Sequence, residues 1–169
     1  ALEKDQKGSI KHKIYFERAQ LKRRQFKDFN GALKDYTSSI KFNPKYIRAY
    51  MYRGLLYERN FSDPEAAERD YRKSIAYDSE CGACWMQLAY LSERLSSDEM
   101  LEATEKALKY GISLQFDGKF APPFSLYGRL ASIKWNEGYY LGAIESYQRL
   151  IDNYQEFDSD GDGEMDETD

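Results

Sequence analysis

The sequence predicts an all-α solenoid of about four antiparallel helical hairpins, and three observations predict it. A block recurs about every 35 residues. The second half of each block carries a small residue, an aromatic four positions on, and a small or aliphatic residue three beyond: Ala32, Tyr36, Ser39; Ala67, Tyr71, Ser74; Ala143, Tyr147, Leu150. A degenerate copy, Met100, Thr104 and Ala107, lies between them. The first half places a large aromatic one turn before a small residue: Tyr50 and Gly54, Trp85 and Ala89, Tyr127 and Ala131. The small residue lets two helix backbones approach, and the aromatic fills the space beside them. Helix stop and start signals fall where this period puts them, and nothing alternates with period two over a useful length. A unit of this kind cannot bury its apolar face alone, so units must stack.

Taken in order, residues 1–12 are an N-terminal lead and 13–155 are the repeat domain. The first unit, 13–46, has Tyr15, Phe16 and Ala19 on its first helix, which fit if its inter-helix loop is one residue longer than in the others. Asn43-Pro44 ends its second helix. In the second unit, 47–80, Tyr50, Arg53, Gly54 and Tyr57 mark the first helix. Asp63-Pro64-Glu65 starts its second, as an N-cap, a proline at the first helical position and an acid in the first turn. In the third unit, 81–112, Trp85, Leu88 and Ala89 mark the first helix. Ser96 and Glu99 have capping-box spacing ahead of its second helix, and Gly111 stops it. The spacing then stretches from 35 (Tyr50 to Trp85) to 42 (Trp85 to Tyr127), which inserts a loop at 113–122. Pro122-Pro123 cannot sit mid-helix, so the fourth unit, 123–155, begins there, with Tyr127, Leu130 and Ala131 on its first helix. Residues 156–169 form an acidic C-terminal tail.

These residues resemble the tetratricopeptide repeat family over roughly 13–155, including the unit-closing proline at Pro44. Ser79 replaces that proline in the second unit, and the third unit lacks the aromatic of its second helix. The resemblance implies a right-handed superhelix whose first helices line a concave groove for a peptide or partner protein. Helix geometry then nominates Arg48, Tyr52, Leu55, Arg59, Gln87, Tyr90, Arg129, Ser132 and Trp135 as groove residues. Aromatic and arginine side chains on one surface suit partner binding, because both combine large contact area with directional polar contacts. Family members that hold the C-terminal carboxylates of heat-shock chaperones use a clamp of Lys, Asn and Arg. The matching positions here hold Glu17 or Phe16, Gln20 or Leu21, Tyr52, Ala83 and Gln87, so that clamp is absent.

Charge is unevenly spread. Residues 1–60 carry 15 Lys and Arg against 6 acids, a net of +9, and the remaining 109 carry 10 against 23, a net of −13. Such a dipole steers an acidic partner toward the N-terminal half; the plainer reading is a solvated helical surface with an acidic tail. Nucleic acid is not expected, because Lys22, Arg23, Arg24 and Lys27 form no recognised motif in an acidic chain. Mean hydropathy is −0.80 and no apolar stretch approaches a membrane span, so the chain reads as soluble. It starts at Ala1 rather than Met, which is compatible with a removed signal peptide, and both cytoplasmic and extracytoplasmic locations stay open.

Two further motifs carry chemistry. Asp158, Asp160, Asp162, Gly163, Glu164 and Asp166 match the first half of an EF-hand calcium loop, in which alternate acids converge oxygens on one hard cation and the glycine allows the bend. Position 12 is Asp169 instead of a bidentate glutamate, with no exiting helix, so a disordered acidic tail is the competing reading. Cys81-Gly-Ala-Cys84 at a helix start has redox spacing, but no strand precedes it as a thioredoxin-like site needs. Two small residues packing at a turn are expected, with a local disulfide or a reactive thiol as the alternatives. With one histidine, His12, and no phosphate-cradling glycine loop, no catalytic constellation survives, and no enzyme is expected. The function expected is protein–protein interaction through the groove, without a cofactor. A calcium-responsive binding protein is the alternative, and a thiol redox protein the third.

Overall fold

In the computed structural model, residues 2–91, 94–110 and 123–157 are described. All of their regular structure is helical, in four successive hairpins: α1 (Leu2–Leu21) with α2 (Phe29–Phe42), α3 (Ile47–Asn60) with α4 (Pro64–Tyr77), α5 (Gly82–Tyr90) with α6 (Ser97–Tyr110), and α7 (Pro123–Asn136) with α8 (Tyr140–Phe157). Each helix packs on its neighbours in the chain, most closely within its own hairpin. That is the stacking the 35-residue period demands. Helix α1 already starts at Leu2, so the 1–12 lead is continuous with the first hairpin. Gly111 and the 113–122 loop lie outside the described residues, as does the tail from Asp158.

The inter-helix turns explain the period. A π-helical turn, Lys22–Phe26, closes α1, and Lys27 then adopts the left-handed conformation at φ 54°. Ser62 does the same after α3, at φ 51°. In both, the residue that follows donates its N–H six residues back: Asp28 to the Lys22 carbonyl (3.0 Å) and Asp63 to the Tyr57 carbonyl (3.0 Å). This satisfies carbonyls that a helix end leaves open. The same two aspartates cap the next helix, accepting from Gly31 N–H at 2.8 Å and Ala66 N–H at 2.9 Å. Tyr15, Arg18, Ala19, Lys27 and Asp28 each precede Tyr50, Arg53, Gly54, Ser62 and Asp63 by 35 positions. The longer first loop expected from the sequence is therefore a misreading, and the first two hairpins are in register.

The third turn uses the reciprocal cap: Ser96 N–H donates to Glu99 Oε2 (3.1 Å) and Glu99 N–H to Ser96 Oγ (3.3 Å). The fourth places a glycine, Gly138, at the left-handed position (φ 81°). Its N-cap is Tyr139, whose carbonyl accepts from Ala143 N–H at 2.9 Å and which brings no side-chain cap.

The small–aromatic–small triads of the first two hairpins sit in the core, whereas Tyr147 of the last is 43% exposed. Ala32, Tyr36, Ser39, Ala67, Tyr71 and Ser74 are all fully buried. Tyr36 lies between Phe16 of α1 (5.8 Å between rings) and Tyr52 of α3 (6.3 Å). Ser39 donates its hydroxyl to the His12 carbonyl at 2.7 Å, and Ser74 repeats the link to the Ile47 carbonyl at 3.4 Å. Gly54 is where α3 meets the Tyr71 ring: a Cβ there would lie 2.6 Å from Tyr71 Cε1. One apolar cluster runs through the first three hairpins, and a smaller one of Met86, Ala107 and Leu126 joins α5, α6 and α7.

Candidate interaction surface

Two arginine–aspartate pairs lock the first two hairpins, each on a buried carboxylate; the Arg53 side chain is 17% exposed and that of Arg18 54%. Arg18 donates to Asp35 through Nε (2.7 Å) and Nη2 (2.6 Å), and Arg53 to Asp70 through the same two nitrogens at 2.8 Å each. Both pairs span 17 residues and sit 35 apart, so they are one structural device used twice. Burial pushes the Asp70 carboxyl up, against the pull of Arg53. At Asp35 burial acts in the same direction, but Lys22, 2.9 Å away, joins Arg18 and holds the carboxyl below its ordinary value. Sequence reasoning missed both pairs, although the equal spacing was there to find.

First helices of neighbouring hairpins touch through aromatics and guanidinium groups at two joints, α1 with α3 and α5 with α7. Phe16 and Tyr52 meet at 5.5 Å, Arg48 stacks on Phe16 at 4.9 Å, and Arg23 on Tyr52 at 5.5 Å. Farther along, Arg129 of α7 stacks on Tyr90 of α5 at 5.4 Å. The three arginine contacts are cation–π interactions, favoured where the guanidinium is partly desolvated.

The nominated groove residues divide by burial. Tyr52, Leu55 and Gln87 are buried, so they build the first-helix face from below and are not exposed contacts. Burial follows from the stack on Tyr36, which helix periodicity alone does not reveal. Arg48, Arg59, Ser132 and Trp135 are exposed, and Tyr90 and Arg129 are half-buried. Ser132 and Trp135 come together with Asn136 and Tyr147 around a shallow cavity of about 310 Å³. Arg48, Arg59 and Arg129 have no carboxylate partner among the described residues. The Nε of Arg129 is buried with no hydrogen-bond acceptor among the described residues, and burial lowers the pKa of its guanidinium.

At the start of α5 the structure corrects the expectation of two small packing residues. Cys81 and Cys84 are joined by a disulfide, because the first helical turn brings their Cα atoms to 5.3 Å. Cys84 is also fully buried, its sulfur 3.9 Å from that of Met51, which shields it from exchange. The calcium-loop residues Asp158, Asp160, Asp162, Glu164 and Asp166 lie outside the described residues. No described helix is long and apolar enough to cross a membrane.

No family model matches this sequence, and no curated protein matches it either. Solved structures do. The crystal structure of MamA protein is 19% identical and superposes with a TM-score of 0.67 over 85% of this chain and 73% of its own. MamA from Desulfovibrio magneticus RS-1, residue 41 to the end, is 12% identical with a TM-score of 0.66 over 87% and 77%. The first tetratricopeptide domain of Spaghetti (RPAP3), bound to the HSP90 peptide SRMEEVD, is 16% identical with a TM-score of 0.59 over 76% and 96%. At these identities the likeness establishes the fold: a tetratricopeptide-like helical repeat.

Proposed function

We propose that this chain is a non-catalytic protein-interaction module whose first-helix face holds an acidic segment of a partner protein. The observation that carries the reading is Arg129. Its half-buried guanidinium stacks on Tyr90 and meets no carboxylate among the described residues, so its charge is left for a partner to answer. Arg48 and Arg59, on the same run of first helices, have no carboxylate partner among the described residues, and a carboxylate-bearing chain would supply acceptors to all three. Trp135 offers an aromatic contact at the end of the run. The RPAP3 domain, similar in fold, is bound to an acidic peptide. Here the chaperone-type clamp is missing, so a different acidic sequence is the ligand.

Affinity capture tests this. Arg129→Ala and Arg48→Ala should each reduce partner capture at least tenfold while the thermal melt stays within a few degrees. Capture that survives both changes would end the acidic-segment reading.

A further inference from the structure

We propose that Cys81 and Cys84 form a reversible thiol–disulfide exchange site, with Cys81 as the sulfur that meets a dithiol substrate and Cys84 as the sulfur that closes the bond behind it. The two are bonded to each other at the start of α5 but sit in different surroundings. Cys81 is the N-cap and is half-buried. Cys84 is fully buried, its sulfur against that of Met51. An incoming thiolate therefore reaches Cys81, and the displaced Cys84 stays in the interior. Cys81 Sγ occupies the place that a capping carboxylate takes elsewhere in the chain. It accepts from the N–H three residues on, that of Cys84, at 3.2 Å, as Asp28 accepts from Gly31 and Asp63 from Ala66. A helix start stabilises negative charge, so a Cys81 released by reduction is held as a nucleophile. Asp78 and Glu80, just before it in the chain, oppose this through their charge, and the Glu80 N–H answers part of the Asp78 carboxylate at 3.1 Å.

The bond adds little to what already holds the fold. The Cys81 carbonyl accepts from Cys84 N–H (3.0 Å) and Trp85 N–H (3.1 Å), so α5 itself keeps the two residues together. The cysteines are three positions apart, and a loop this short restrains the unfolded chain least. Trp85 Nε1–H donates to the Ser79 carbonyl at 2.8 Å, which pins the turn without the sulfurs. A bond that the helix makes redundant can open and close while the hairpin stays folded. Exchange needs a helix start, one open sulfur and one buried sulfur, and α5 supplies all three without a preceding strand. In the first step a thiolate of the dithiol attacks Cys81 Sγ. Its S–S bond forms as the Cys81–Cys84 bond breaks, and the Cys84 sulfur leaves and takes a proton. The second thiol of the dithiol then loses its proton, attacks its own sulfur in the mixed disulfide and releases Cys81. Net, the dithiol becomes a disulfide, Cys81 and Cys84 gain its two electrons, and its protons go to Cys84 and to Cys81 or solvent. Run in reverse, the same steps reduce a disulfide.

Mass spectrometry on the full chain tests the proposal, with dithiothreitol as the dithiol. After incubation with glutathione disulfide, the wild-type chain should be lighter than the fully reduced one by two hydrogens. Dithiothreitol should open the bond at a rate that does not change with denaturant below the unfolding transition. The melt of the reduced chain should stay within a few degrees of that of the oxidised one. Given glutathione disulfide, Cys84→Ser should hold a mixed disulfide on Cys81, while Cys81→Ser stays unmodified until it is denatured. Cys84→Ala is the second variant if Cys84→Ser does not fold. A bond that opens only at unfolding concentrations of denaturant is a staple, and would overturn the proposal. So would a wild-type chain that keeps two free thiols in glutathione disulfide. Capture of glutathione by native Cys81→Ser at the rate seen for Cys84→Ser would overturn it too, since the two sulfurs would then be equivalent.

Discussion

The first two hairpins and the last two build the same packing from different chemistry. In the first pair, a bidentate arginine–aspartate contact joins the two helices, at Arg18–Asp35 and Arg53–Asp70. At the corresponding positions the third hairpin has Leu88 and Ala103, and the fourth has Leu130 and Ser146, all buried. Helix pairing in this fold therefore does not need the ion pair. What the ion pair adds is a penalty for misalignment, because a buried carboxylate is tolerable only when a cation meets it.

That account is most exposed at Asp70. Asp70→Ala strands the Arg53 guanidinium, whose side chain is only 17% exposed, and should cost about 3 kcal/mol in denaturant unfolding. Ser146→Ala, at the same place in the fourth hairpin, should cost under about 1 kcal/mol. Installing the third hairpin's residues, as the double change Arg53→Leu and Asp70→Ala, should recover most of the first loss. Equal costs for the two single changes would erase the distinction between the halves.

Next in size comes Gly54→Ala. Its new Cβ meets a Tyr71 ring held by a 2.7 Å hydrogen bond to Glu58, and the overpacking should cost about 2 kcal/mol. The third hairpin carries Ala89 natively opposite the smaller Thr104, so Gly54→Ala combined with Tyr71→Thr should cost less than the two changes summed. Strict additivity in a double-mutant cycle would show that the ring is not the obstacle.

A smaller effect separates the two ion pairs by pH. The Asp35 carboxyl lies below its ordinary value of 3.8, so folding favours its ionised form. Its contribution is complete above that pH and is lost as pH falls through the lower folded value. The stability gap between wild type and Asp35→Asn, about 1 kcal/mol near neutrality, should therefore close in acid. Asp70, raised by burial, has the opposite sign, and its gap to Asp70→Asn should widen as pH falls. Parallel pH profiles for the two variants would contradict this. Smallest of all is the surface pair Glu145 and Arg149, where Glu145→Gln should change stability by about 0.3 kcal/mol, within the error of a melt.

The period made the fold legible, because stacked units must repeat whatever fills the space between them. Asp63-Pro64 and the Ser96–Glu99 box read correctly, since caps answer to a local rule. The left-handed turns at Lys27 and Ser62 were not readable: glycine usually marks that conformation, and among the described residues only Gly138 does. For the interaction surface, helix periodicity placed Tyr52 on the right helix but not at the right depth. Its burial depends on Tyr36, which belongs to a different helix and is brought near only by folding. Burial pushes the Tyr36 hydroxyl up to about 12, which marks that site as part of the interior.

Asp28 and Asp63 each finish one helix and begin the next, and a residue with two jobs leaves no slack in a turn. From Ala19 to Ala32 and from Gly54 to Ala67 is 13 positions in both cases. The third and fourth hairpins, without that aspartate, run 11 positions from Ala89 to Met100 and 12 from Ala131 to Ala143. Length has drifted only where the double-duty cap is absent, and the longest added stretch falls in a joint between hairpins. For anyone editing this chain, the first two hairpins behave as rigid links whose turns reject insertions, and new sequence belongs at the couplings.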